Sequence, residues 1–315
     1  MRALGRLVLL LCFAAAMAAC DHRELCYDHS HWVDLTVDFD WSEAPDARPS
    51  TMVVILFPAD GSEGIRYELT RTDGPSKIRV PSGYFHAVAF NGNTESLIES
   101  GSAYDKFVIT TREQDILEPM NRSGAVVPNS PPRADGTEDQ YVKSAPDPLW
   151  ADKSENFYII PAQPGQSITF VPWKKTVLYR VVIHNVQNFE EGMGISATLT
   201  SMAESYSPML DAHYGADVTV PIGLGIADGN TLTGSAEMFG HCPDSRSDRR
   251  HILTVYTSSR YYYNFDVTDQ IHSGANPTEL TIEIDKLVLP KPDGGGMNPS
   301  VGDWSDVIED LIEMQ

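Results

Sequence analysis

Positive charge is scarce in this chain, where 23 Lys and Arg stand against 44 Asp and Glu for a formal net charge of −21. Such a surface repels phosphate backbones, and no Lys/Arg cluster forms a basic stripe, so nucleic acid is not an expected partner. Long apolar runs are missing too. Beyond residue 19 nothing approaches the ~20 apolar residues that a bilayer-spanning helix needs. Cysteine is rare, with four residues and no Cys-x-x-Cys pair, which argues against a zinc site. Enzyme signatures are absent: there is no G-x-S-x-G, no H-E-x-x-H and no phosphate-cradling loop. Gly223-Leu-Gly225 lacks the rest of a dinucleotide fingerprint and sits between strands, not before a helix. Acids are many, but nothing pairs them as a hydrolase would require. The expectation is a protein without catalysis, cofactor or metal.

What the chain does have begins at its N-terminus. Arg2 and Arg6 precede an unbroken apolar run from Leu7 to Ala19, too short to cross a bilayer and patterned as an export signal. The small residues Ala18 and Ala19 lead straight into Cys20, as in a bacterial lipobox, although Met17 stands where leucine is usual. Cleavage there makes Cys20 a lipidated N-terminus. Several acyl chains, palmitate among them, hold firmly, because each buried CH₂ contributes about 0.8 kcal/mol and one chain alone is marginal. Loss of residues 1–19 removes two arginines and no acids, taking the net charge from −21 to −23. Cys12 falls in the discarded segment. Cys26 and Cys242 remain, either a staple from the tether to the second half or two separate thiols, and spacing does not distinguish them.

Residues 20–31 form a short polar tether. After it, Val33, Leu35, Val37, Phe39 and Trp41 alternate with Asp34, Thr36, Asp38 and Asp40, the period of a strand with one wet face. Further β-rich runs follow at 52–57, 65–69, 78–80, 84–91, 107–110, 157–160 and 168–171, separated by turn chemistry such as Pro58-Ala-Asp-Gly61. Residues 119–155 break the rhythm with Pro, Asn, Ser, Asp and Gly, an extended excursion within a first β-sandwich over 32–172. Near Pro172-Trp-Lys-Lys175 the chain starts again. Runs at 176–186, 195–202, 218–220, 231–239, 252–257, 261–267 and 280–284 supply about seven strands for a second sandwich over 173–289. Pro290-Lys-Pro-Asp-Gly-Gly-Gly296 reads as a linker, and an acidic tail follows in which Trp304, Val307, Ile308, Leu311 and Ile312 recur at helical spacing. That tail is a short terminal helix, a final strand, or a docking element. The fold class is all-β, two tandem antiparallel sandwiches.

Few residues gather chemistry. His29 and His31 share one side of a strand but have no third ligand nearby. Asp34, Asp38 and Asp40 lack the glycine and loop of a calcium site and fit a solvated sheet face. Trp150, Trp173 and Tyr261-Tyr262-Tyr263 form either a sugar-stacking platform or ordinary core and rim packing.

Cys20-Asp-His-Arg-Glu-Leu-Cys-Tyr-Asp-His-Ser-His31, the strand to Trp41 with Ala44-Pro-Asp-Ala47, Leu56-Phe-Pro58, Phe239-Gly-His-Cys242 and Gly302-Asp-Trp304 together carry a resemblance. The chain resembles a Bacteroidales lipoprotein family with a domain of unknown function, similar to the fimbrillin-associated anchor proteins. That resemblance implies transthyretin-like Greek-key sandwiches, attachment to the outer membrane through Cys20, and a role at the base of a surface fimbria. It also implies a fimbrial subunit as partner, bound by strand addition at an open sheet edge. The acidic tail departs from what a polymerising stalk subunit should have, and fits a non-polymerising anchor or accessory lipoprotein better. The alternative is a glycan-binding surface lipoprotein of a polysaccharide-uptake system, using the aromatics named above.

Overall fold

The structure is a computed structural model that describes residues 32–122, 124, 131–189, 193–241 and 249–289. Cys20, Cys26, Cys242, His29, His31 and the tail 290–315 lie outside these residues.

Strands β1 (Trp32–Phe39), β2 (Met52–Pro58), β3 (Ile65–Leu69), β4 (Ser76–Pro81) and β5 (Gly83–Asn91) open the chain. An excursion carries β6 (Leu97–Ser100), β7 (Val108–Thr111), a short helix Glu118–Arg122 and β8 (Tyr141–Val142). The chain returns through β9 (Trp150–Ile159), β10 (Gln166–Phe170) and β11 (Trp173–Lys174). Then come β12 (Val177–Ile183), β13 (Val186–Gln187), β14 (Ile195–Ser207), β15 (Ala212–Gly223), β16 (Gly225–Asp228) and β17 (Thr231–Met238). Strands β18 (Ile252–Thr257), β19 (Tyr262–Asp266), β20 (Glu279–Ile284) and β21 (Leu287–Val288) complete it, with a helix Thr268–His272 after β19.

These strands form two sandwiches of matching topology. In the first, the order β10-β1-β4 faces the order β9-β5-β2-β3; in the second, β20-β12-β17 faces β19-β18-β14-β15. Each sandwich therefore sets its first strand between its last strand and an inner one. The first–last pairs β1–β10 and β12–β20 are parallel, while most other ladders are antiparallel. A parallel pair requires a crossover, and here the crossover is the opposite sheet. Sequence shows two sets of strands; strand order shows that they are copies of one plan.

The alternation in β1 plays out as the sequence requires. Val33, Leu35, Val37 and Phe39 enter the first core, while Asp34 and Asp40 stay exposed. Strand β2 differs, because Met52–Phe57 is buried at every position. Met52, Val54 and Leu56 fill the first core with Phe85, Ala87, Ala89 and Phe170. Val53, Ile55 and Phe57 fill a separate core with Val88 and Phe90, under Phe107 and Ile109 of the excursion and Tyr206 and Phe239 of the second sandwich. Continuous apolar runs are what a strand buried on both faces needs. Phe107 packs tilted against Phe57 and Phe90, with ring centroids 5.3 and 6.0 Å apart.

Both the run at 107–110, read as a strand of the first sandwich, and residues 119–155, read as an excursion within it, reach the second sandwich. Strand β7 pairs with β14 of the second sandwich, Ile109 opposite Tyr206, and β8 adds in parallel to β15, Tyr141 opposite Val218. The strand expected from Phe157 already begins at Trp150, because the β5 ladder continues to Phe90–Ala151 despite the polar composition of that stretch. Ser201 has φ of 61° at a bulge in β14, and Gln140 of the excursion fills the gap. Its Oε1 accepts from the Ser201 N–H (3.0 Å) and its Nε2 donates to Ser201 Oγ (3.1 Å). Tyr256 Oη donates to the Pro132 carbonyl at 2.8 Å. So the excursion roofs the sheet, and Ser196, Thr198, Thr200 and Thr254 are buried although their polarity predicts a wet face. In the β6–β7 turn Gly101 has φ of +90°, and a Cβ there would stand 2.2 Å from the Lys106 carbonyl oxygen.

The connector at residues 172–175 is pinned at two points. Lys174 Nζ bonds Glu237 Oε1 at 2.7 Å, and Lys175, whose side chain is only 2 % exposed, pairs with Asp211. The Lys175 ammonium also lies 3.6 Å from the Trp173 ring centroid. Burial pulls the Lys175 pKa down, and the Asp211 carboxylate opposes it. Leu56→Ala and Ile55→Ala should each cost about 2–5 kcal/mol, as buried truncations of this kind do. Only Ile55→Ala should also raise amide exchange in β7 and β14 ahead of global unfolding, since only its side chain reaches the core shared by the two sandwiches.

Candidate functional site

For a protein whose expected interaction is strand addition, the sites to weigh are the sheet edges, which carry unpaired backbone groups. Several are already closed. At β20 the Gln270 amide imitates a neighbouring strand: its Oε1 accepts from the Glu283 N–H at 2.8 Å and its Nε2 donates to the Glu283 carbonyl at 3.0 Å. At β4 the Arg79 carbonyl accepts from Tyr67 Oη at 3.0 Å. Edges β8 and β11 are two residues long and offer little ladder. Strand β16 is different. All four of its residues are exposed, and Ile226 presents 55 % of its surface to solvent. Its other edge is held by β17, with a register shift between Ile226 and Asp228.

The aromatics singled out in the sequence fall into two groups. Half-buried Trp150 and exposed Trp173 lie on the paired strands β9 and β11 of the first sandwich. Half-buried Tyr261, Tyr262 and Tyr263 run into and along β19 of the second, where Tyr263 packs on the core and Tyr262 beside Tyr256. The fold does not assemble these five residues into one platform. It instead pairs two tyrosines that sequence reasoning passed over. Tyr84 and Tyr158 stand opposite each other on β5 and β9, stacked with ring centroids 4.3 Å apart. Only the strand register reveals them, since they are far apart in the chain.

A cleft of about 520 Å³ opens between the excursion and the second sandwich, lined by Glu95, Arg112, Arg122, Ser144, Asp147 and Gly223. Two of its charges are internally employed. Asp147 Oδ2 accepts from the N–H groups of Glu95 and Ser96 and from Ser96 Oγ, and Arg122 pairs with Glu118. Among the described residues no group of three His, Cys, Asp or Glu is placed to hold a metal ion, and no helix is long and apolar enough to cross a membrane.

Three histidines from separate segments meet in the second sandwich. The rings of His241, His251 and His272 lie with centroids 5.1 to 5.8 Å apart. Tyr179 Oη is 2.8 Å from His241 Nδ1, and His251 Nδ1 is 3.1 Å from the Thr200 carbonyl. Burial pushes His251 down to about 4, reinforced by the neighbouring His272; the Thr200 carbonyl and Asp266, itself paired with Arg250, oppose the shift. The sequence hides this cluster, because the three residues are distant in the chain and lack a ligand spacing.

The fold thus defines a class: a tandem β-sandwich protein whose second sandwich repeats the strand order of the first. Residues 19–223 match the model of the domain of unknown function DUF5119, and the chain belongs to that family. Among solved structures, a candidate adhesin from Bacteroides ovatus aligns with a TM-score of 0.61 at 19% identity, covering 88% of this chain and 98% of that one. The fimbrial anchor protein Mfa2 from Porphyromonas gingivalis aligns at 0.50 and 13% identity, over 82% and 90%. A candidate polysaccharide-binding protein from Bacteroides thetaiotaomicron aligns at 0.52 and 10% identity, over 80% and 90%. These likenesses establish a shared fold. No curated protein matches the sequence significantly.

The histidine cluster sets a pH response. His251 is held neutral in the folded state, so its contribution to stability is complete above its unfolded pKa near 6.5 and is lost as pH falls towards 4. Unfolding free energy from urea titration should drop by about 3 kcal/mol between pH 7 and pH 4 from this residue alone, at 1.36 kcal/mol per pKa unit. His251→Gln should flatten that slope even where it lowers stability at pH 7.

Proposed function

We propose that this protein is a lipid-anchored outer-membrane protein of the cell surface that serves as an anchor or accessory component of fimbriae. The observation that carries the reading is the tandem sandwich with its repeated strand order, and the pattern of residues 1–19 followed by Cys20 supports it. A fimbrial anchor shares that fold, and the candidate adhesins share it too. In this reading residues 1–19 are removed, Cys20 takes the lipid, residues 20–31 are the tether, and each sandwich is a domain. The partner, a fimbrial subunit, adds a strand to β16, where backbone groups supply affinity and alternate side chains supply register. Charge agrees with such a role, since an acidic surface stays soluble and avoids nucleic acid. The glycan-binding alternative gains no assembled platform from Trp150, Trp173 and Tyr261–Tyr263.

Three experiments bear on this. Cys20→Ser should abolish incorporation of labelled palmitate and release the protein from the membrane fraction. Deleting the gene should leave surface fibres shed into the medium or altered in length, and a strain with unchanged, equally anchored fibres would refute the role. The double variant Ile226→Pro, Ala227→Pro removes two backbone donors from β16. It should reproduce the deletion phenotype while the purified protein keeps its near-ultraviolet circular dichroism.

A further inference from the structure

We infer that the end of the first sandwich where the chain enters is a membrane seat: Trp32, Tyr84, Tyr158 and Ile160 rest in the headgroup layer of the bilayer that holds the lipid. The inference builds on the lipid-anchor reading of Cys20 and adds a surface to it.

Strand register brings the four residues to one end. Trp32 begins β1 and stands opposite Pro81, the last residue of β4. Two positions on, Gly83 begins β5 opposite Ile159, with Tyr84 opposite Tyr158 and Ile160 just beyond β9. Their exposures are 47, 61, 42 and 39 %, and among the described residues no other end of a strand set brings four large exposed apolar residues together in this way by register. The cover supplied by the β6–β7 hairpin stops short of them. It ends where Tyr104 stacks flat on His86, at 4.4 Å between centroids, one residue pair inward from the tyrosines. Tyr84 and Tyr158 stay outside, stacked on each other.

The length of chain before Trp32 selects the occupant. Cys20 precedes Trp32 by twelve positions, so even a fully extended tether keeps this end within about 40 Å of the lipid, and any compaction brings it closer. The opposite end of the first sandwich, with Phe39 and the β11 connector, leads to the second sandwich. Trp and Tyr concentrate at membrane–water interfaces because their rings are apolar with one polar handle, and three of these four residues are of that kind. Asp60 and Glu63 occupy the β2–β3 turn at the same end, where the Ala59 N–H bonds the Tyr84 carbonyl at 2.9 Å. These acids favour neutral over anionic headgroups.

The test uses the full lipidated protein in phosphatidylethanolamine vesicles with brominated acyl chains. Trp41, Trp150, Trp173 and Trp304 are changed to Phe, leaving Trp32; a matched variant retains Trp150 instead, and thermal melts confirm folding of both. Trp32 emission should fall by about half or more and shift to the blue, while Trp150 should be unaffected. Tyr84→Ser, Tyr158→Ser should restore most of the Trp32 emission, and phosphatidylglycerol should weaken the quenching. Unquenched Trp32 on protein that floats with the vesicles would overturn the seat and leave the anchor reading standing. A blue shift without bromine quenching, growing with protein density, would assign this end to a second copy of the chain and equally overturn it. Protein that fails to float would refute the lipid anchor and the seat together.

Discussion

Burial of β2 on both faces is the constraint on which the arrangement of the whole molecule depends. One face closes the first core, and the other can be dry only if something else covers it. The excursion and the tip of β14 provide that cover, and once they do, the second sandwich is no longer a separate bead on a linker. The polar groups at the junction follow from the same requirement. Lys175 is buried there with its charge intact only because Asp211 meets it and Trp173 lies under it. The excursion completes the arrangement by roofing the second sandwich, where Gln140 satisfies the bulge at Ser201.

How much of this was legible in the sequence can be judged strand by strand. The alternation from Val33 to Trp41 was sufficient for β1, because one wet face leaves a period of two. The apolar run at Met52–Phe57 announced a strand but not the identity of its second cover, since burial on both faces erases the period. Residues 119–155 misled for a related reason. Their Pro, Asn and Ser content matches a loop, yet Tyr141–Val142 is held by β15, a partner far along the chain that no local pattern predicts. Ser196, Thr198, Thr200 and Thr254 are polar yet dry, because the excursion covers their face. The tyrosine stack and the histidine cluster depend on register and crossover and have no local signature. Cys20, by contrast, has its whole signal in its neighbours, Ala18, Ala19 and the apolar run before them.

The edges show a consistent economy. Gln270 occupies β20, Tyr67 caps β4, and the shortest strands stand where an edge would otherwise be long. Such devices keep a β-rich protein from pairing indiscriminately, and β16, exposed along its whole length, carries none of them. Of the exposed aromatics, Trp32, Tyr84 and Tyr158 stand at the end from which the chain extends to Cys20, while Tyr141, Trp173 and Tyr214 are exposed elsewhere.

The parallel pairing of first and last strands has a mechanical side. The chain enters the first sandwich at the start of β1 and leaves it at the end of β10, and these strands run side by side in the same direction over Leu35–Phe39. Tension between the two ends of the chain therefore pulls the pair in opposite senses along its length. Every hydrogen bond between them shares the load at once, as in shear, instead of parting one at a time as in a zipper. The second sandwich repeats the geometry with β12 and β20. Forced unfolding is governed by the height of the unfolding barrier and not by equilibrium stability. A fold whose terminal strands are clamped in shear is thus built to bear a steady pull.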